Sequence, residues 1–132
     1  MVAPRPTPAP LEGERRFVTV LFADVVGSTG LAEQLDPEQI AELMNPAFAF
    51  MNAAVARYGG TVSRLMGDAV LALFGAPVAH EDDAERAVRA GLEIQTSARE
   101  YAETVVQSYG VEFAVRVGIN TGLAVLAMVA QP

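Results

Sequence analysis

Residues 61–74 read TVSRLMGDAVLALF, two short apolar runs, Thr61–Met66 and Ala69–Phe74, parted only by Gly67 and Asp68. That spacing predicts a two-residue β-hairpin, with antiparallel strands and Asp68 at the turn. Upstream, Phe17–Ala23 (FVTVLFA) is apolar on both alternating faces except at Thr19, as expected of a strand covered on both sides of a sheet, and it ends at Asp24. Gly27, Ser28 and Thr29 then predict a turn whose hydroxyls cap a short helical stretch through Leu35. Asp36 and Pro37 mark a second helix start, the carboxylate as cap and the proline at the first helical position. Ile40, Leu43, Met44, Phe48, Met51, Val55 and Tyr58 keep helical spacing and give that helix an inward face. Pro46 predicts a kink, or a restart with Asn45 as cap, and Gly59 and Gly60 end the helix.

Beyond the hairpin, Glu81, Asp82 and Asp83 suit the positive end of a helix dipole. Ala84, Ala87, Val88, Leu92, Ala98, Tyr101 and Val105 extend this helix until Gly110 stops it. Val111–Ile119 reads as a strand, and Gly122 as a turn into the apolar tail LAVLAMVA. Residues 1–14, with Pro4, Pro6, Pro8 and Pro10 among Ala and Thr, read as a disordered leader. The order strand, helices, hairpin, helix, strand, strand, without internal repeats, fits an α+β sandwich of helices layered on one sheet.

With 132 residues, 52% of them hydrophobic, the chain holds one domain with a real core and not two. The absence of cysteine excludes disulfides, thiolate nucleophiles and cysteine-based zinc sites. No apolar run reaches the roughly 18 to 20 residues of a membrane span, so a soluble, cytoplasmic protein is expected. Nine basic against sixteen acidic residues, a net charge of -7, speaks against a nucleic-acid surface. A polyanion would need divalent cations held on carboxylates.

Two carboxylates stand out by position, Asp24 at the end of a strand and Asp68 at the hairpin tip. If the first strand lies beside the hairpin they converge on hard cations such as Mg²⁺. From spacing alone the metal signal is weak, and each reads first as a turn-former. The segment VVGST after Asp24 offers free amides before a helix, an arrangement that cradles phosphate oxygens, although an ordinary helix cap reads the same way. His80, the only histidine, reads as a capping or surface residue. Arg15 and Arg16 read as charges that solvate a sheet edge.

Three segments, ERRFVTVLFADVVGSTGLAEQLDPEQ (14–39), YGGTVSRLMGDAVLALFGAPVAHEDDAERAVRAGLEIQ (58–95) and VRVGINTG (115–122), together resemble the bacterial class III adenylate and guanylate cyclase catalytic domain, in order and with its spacing. The resemblance implies a ferredoxin-like βαββαβ-type sandwich of the nucleotidyl cyclase kind, incomplete at its C-terminal end, over residues 15–132. It implies two divalent cations, Mg²⁺ or Mn²⁺, on Asp24 and Asp68, with the backbone carbonyl of Val25 completing a metal site. The amides around Gly27, Ser28 and Thr29 would receive the β and γ phosphates. Such a domain converts ATP or GTP to the 3′,5′-cyclic nucleotide and pyrophosphate: one metal activates the ribose 3′-hydroxyl for in-line attack, and the other neutralises the triphosphate.

The resemblance also implies a head-to-tail homodimer with sites at the interface. The family's adenine-reading lysine, ahead of Gly67 and Asp68, is matched here by Arg64, a longer planar donor that leaves the choice of purine open. The family's second base-reading residue and its transition-state asparagine and arginine follow the VGINTG segment, so this chain alone is expected to turn over little and to self-associate through bared strand edges. The alternative is a degenerate cyclase-like module that binds nucleotide or regulates a partner. A diguanylate cyclase fits less well, since LMGDAV lacks that family's turn signature.

Overall fold

The computed structural model describes the backbone of residues 14–66 and 69–126 and their side chains except at 14, 28, 29, 64–66, 125 and 126. The chain runs β1 (Glu14–Val25), α1 (Ser28–Gln34), α2 (Pro37–Arg57), β2 (Thr61–Met66), β3 (Ala69–Phe74), α3 (Asp83–Tyr109) and β4 (Val115–Leu126). The strands form one antiparallel sheet in the order β2-β3-β1-β4. This is the expected ferredoxin-like arrangement. Met66 pairs directly with Ala69, as a two-residue hairpin requires, while Gly67 and Asp68 lie outside the described residues. The predicted leader also lies outside them, apart from Glu14, which already pairs with Leu126.

Helices cover one face of the sheet. Leu21, Ala23 and Val25 of β1 and Val70, Ala72 and Phe74 of β3 share a core with Leu43, Met51 and Val55 of α2 and with Ala87, Ile94 and Val105 of α3. The residues of opposite parity, Val20, Phe22, Leu71 and Leu73, are only half-buried. The expectation that the first strand is covered on both sides is therefore corrected. An apolar run reports that both faces avoid water without reporting what lies over each.

Asp36 caps α2 as expected, and the cap is reciprocal: its Oδ1 accepts from the Gln39 amide at 2.9 Å, and Gln39 Oε1 accepts from the Asp36 amide at 3.1 Å. Pro46 neither breaks nor restarts the helix, which continues to Arg57. Pro46 and Glu42, whose carbonyl loses its amide partner, are both exposed residues. The buried stripe of α3 is Ala87, Ala90, Gly91, Ile94, Ala98 and Val105, whereas Val88 and Leu92 face outward. Tyr101 joins the two long helices, donating its hydroxyl to Leu43 O at 2.7 Å and meeting Phe50 and Phe113 edge-on.

The predicted strand 111–119 and turn at Gly122 are also corrected. Val111 and Phe113 are buried in a connection that ends α3, and β4 runs without a break from Val115 through Gly122, which pairs with Val18. Pairing with β1 over its whole length holds Gly122 extended, so its turn propensity goes unused. Arg15 and Arg16 lie within β1, on the stretch that pairs with β4 alone before β3 joins at Thr19, so the expected edge position holds for them. Arg16 Nη1 donates to the carbonyls of Gly75 (3.1 Å) and Pro77 (2.9 Å), tying down the chain that leads to α3. His80 lies three residues ahead of α3, whose cap position is Asp82, and its amide donates to Asp83 Oδ2 at 2.8 Å.

Gly60 is a packing requirement: a Cβ there would stand 2.6 Å from the ring of fully buried Phe74. Gly60→Ala is expected to cost about 1–3 kcal/mol in denaturant unfolding. Gly118→Ala, with nothing within 4 Å of the added methyl, is expected to stay within about 0.5 kcal/mol of the parent.

Candidate active site

Asp24 closes the regular part of β1, between fully buried Ala23 and buried Val25. Alternation therefore turns its carboxylate to the face without helices. The register builds a row across the sheet at this point: Met66 pairs with Ala69, Ala69 with Asp24, and Asp24 with Arg116. Asp24 thus faces the residue that follows Asp68 in the chain, while the side chain of Asp68 itself lies outside the described residues. Two rows further along, Arg64 pairs with Leu71, Leu71 with Phe22 and Phe22 with Gly118. The register slips between Val62 and Arg64, so Ser63 is the extra residue of a bulge that re-phases the strand just before Arg64.

After Val25 the turn is held from both sides. The Val26 amide donates to Ala114 O at 2.9 Å, and Gly27 adopts left-handed backbone (φ 74°) while its carbonyl accepts from the Leu31 amide at 3.1 Å. Ser28 and Thr29 are the first residues of α1 and Gly27 occupies the cap position, while the hydroxyls expected to cap the helix belong to side chains outside the described residues. Buried Leu31 and Leu35 anchor α1 in the core and fix where its first turn points. Asp24, Val25, Gly27, Ser28 and Thr29 are therefore gathered at one end of the sheet by a single continuous segment.

Spacing alone did not single out Arg116, although it stands in the VRVGINTG segment. Its guanidinium grips the Asp24 carboxylate as a fork, Nη2 donating to Oδ2 at 3.1 Å and Nε to Oδ1 at 3.3 Å. The Asp24 side chain is 17% exposed and that of Arg116 71%, so the arginine covers the carboxylate from the solvent side. Hydrogen bonding to Asp24, followed by its charge, raises the Arg116 pKa above the ordinary arginine value. Exposed as the arginine is, the pair adds little to the stability of the fold.

This arrangement fits a metal in one respect and leaves it incomplete in another. A carboxylate at the rim of a sheet, already holding a cation in the form of a guanidinium, is a suitable ligand for a hard divalent ion. Among the described residues, no three His, Cys, Asp or Glu side chains gather as a metal site. Further ligands would have to come from Asp68, from backbone oxygen or from substrate.

The family model for the adenylate and guanylate cyclase catalytic domain matches residues 12–132, and the chain belongs to this family. It is 33% identical over 115 residues to adenylate cyclase 1 of Rhizobium meliloti, covering 87% of this chain and 17% of that protein. The structure of the guanylyl cyclase Cya2 superposes with a TM-score of 0.85 at 37% identity, over 92% of this chain and 61% of that one. The adenylyl cyclase CyaB from P. aeruginosa gives 0.81 at 32% identity, over 87% and 60%. The chain thus spans about 60% of the length of these solved cyclases. Among the described residues, no helix is long and apolar enough to cross a membrane.

Two neighbouring glycines separate conformation from space in the loop, since a methyl on either meets nothing within 4 Å. Gly27→Ala is expected to cost about 1 kcal/mol or more, because of its left-handed backbone. Gly30→Ala, inside α1, is expected to stabilise by about 0.5–1 kcal/mol. Thermal or denaturant unfolding of the two variants would show the opposite signs.

Proposed function

We propose that this chain carries the metal-binding half of a class III nucleotidyl cyclase site, which converts ATP or GTP to a 3′,5′-cyclic nucleotide and pyrophosphate as a homodimer. The observation that carries this reading is the pairing of Asp24 with Ala69, because it brings the FADVVGST segment beside the LMGDAV segment. Asp24 and Asp68 are the proposed metal ligands, with the carbonyl of Val25. When bound, two divalent cations would lower the pKa of the ribose 3′-hydroxyl and neutralise charge on the triphosphate.

The remaining work falls to the chain itself. The amides at Gly27, Ser28 and Thr29 are proposed to bind the β and γ phosphates, and the rigid β1–α1 connection supports that role by fixing their direction. Gly67, next to Asp68 in the sequence, is proposed as a further substrate-binding residue. Arg64 is proposed to contact the purine, offering a planar fork where the family has a lysine.

A second reading, a regulatory module that binds nucleotide without cyclising it, draws support from Arg64 at the lysine position. The test uses the 132-residue chain and a form extended to the length of the solved cyclases, incubated with Mn²⁺ and either ATP or GTP, with cyclic nucleotide as the readout. The extended form is expected to be active, with Asp24→Ala and Asp68→Ala each lowering the rate by about a hundredfold or more. Wild-type rates in Asp24→Ala would overturn the metal assignment. Metal-dependent binding of a nucleotide analogue without product would favour the second reading.

A further inference from the structure

Resting on the metal reading just given, the geometry points to Arg116 as a tethered counter-ion that competes with the divalent cation for Asp24, so that metal uptake is an exchange in which the guanidinium leaves the carboxylate. Both oxygens of Asp24 are engaged, one by Nε and the other by Nη2. A Mg²⁺ ion sits about 2.0–2.1 Å from a ligating oxygen, so a metal at either atom would crowd the hydrogen of an N–H donor and repel the positive charge behind it. Two cations on one carboxylate repel each other, so binding of either weakens the hold of the other.

The pair is also built to open. Arg116 lies on β4, the outermost strand among the described residues, with its side chain 71% exposed, so release moves a solvated side chain and no buried one. Asp24, only 17% exposed and fixed between two buried neighbours, stays in place. Without a metal, the guanidinium supplies the positive charge that this half-buried carboxylate would otherwise lack. A purely structural cross-strand pair would share these distances. The two roles differ in what happens to metal affinity when the arginine is removed.

Mn²⁺ binding to the purified chain, followed by electron paramagnetic resonance of the free ion without nucleotide, separates them. Arg116→Gln is expected to tighten Mn²⁺ binding about three- to tenfold, and Arg116→Lys, which keeps the charge but loses the fork, by about two- to threefold. Arg89→Gln removes the same charge from an α3 arginine paired with Glu85 and is expected to change the affinity less than about twofold. Asp24→Asn is expected to weaken binding more than about tenfold. Unchanged or weaker binding in both Arg116 variants, with Asp24→Asn still weakening it, would overturn the exchange and leave the metal reading standing. Full affinity in Asp24→Asn would overturn both. In the unmutated chain, Mg²⁺ should shift the Arg116 Nε–H resonance away from its ion-paired position, and a resonance unmoved at saturating Mg²⁺ would refute the exchange even if a variant failed to fold.

Discussion

Two-sided pairing of β1 is the constraint on which the molecule depends. Its residues pair with β3 from Thr19 to Asp24 and with β4 from Glu14 to Val25, so this strand supplies most of the non-local hydrogen bonding that joins the two halves of the chain. Closing such distant contacts costs chain entropy before any packing compensates for it. The compensation lies on the helical face, where Leu21 and Ala23 are fully buried beneath α2 and α3. Small residues make that contact close. Gly91 of α3 comes so near β4 that a Cβ would stand 3.2 Å from Val117 and 3.3 Å from Ile119.

The candidate site follows from the same strand. Asp24 closes β1's pairing with β3, and its neighbours across the sheet, Ala69 on one side and Arg116 on the other, are set by backbone register before any side chain makes a choice. The turn after it inherits that rigidity through the Val26 bond to Ala114 and the capped start of α1. The loop that would meet an anionic ligand is therefore an extension of the sheet, and its amides are aimed by the core through Leu31 and Leu35.

Features encoded locally were legible from the residues alone. The hairpin, the Asp36 cap with Pro37 behind it and the stop at Gly110 each depend on a few adjacent residues, and each appears where those residues stand. Features set by distant partners were not. Pro46 sits inside a continuing helix on its exposed face, and Gly122 stays in a strand because β1 holds it there. The site divides the same way. Residues 24–29 form one continuous segment and could be read as a unit, whereas Arg116 reaches Asp24 across 92 positions of chain that no local pattern connects. Family resemblance carried the reading of Asp68 and Arg64, where spacing alone left a turn-former and a strand residue.

The one-sided cover of the sheet gives neighbouring residues of β1 unrelated duties. Leu21 and Ala23 answer to the shape of the helical layer, while Val20 and Phe22, and the acid beyond them with its cross-strand arginine, lie on the face open to whatever approaches from outside. A lineage can therefore rewrite every second letter of this strand to suit a new visitor while the intervening letters keep the architecture intact. Inheritance of the fold and divergence of its chemistry are interleaved along a single stretch of chain, one residue apart.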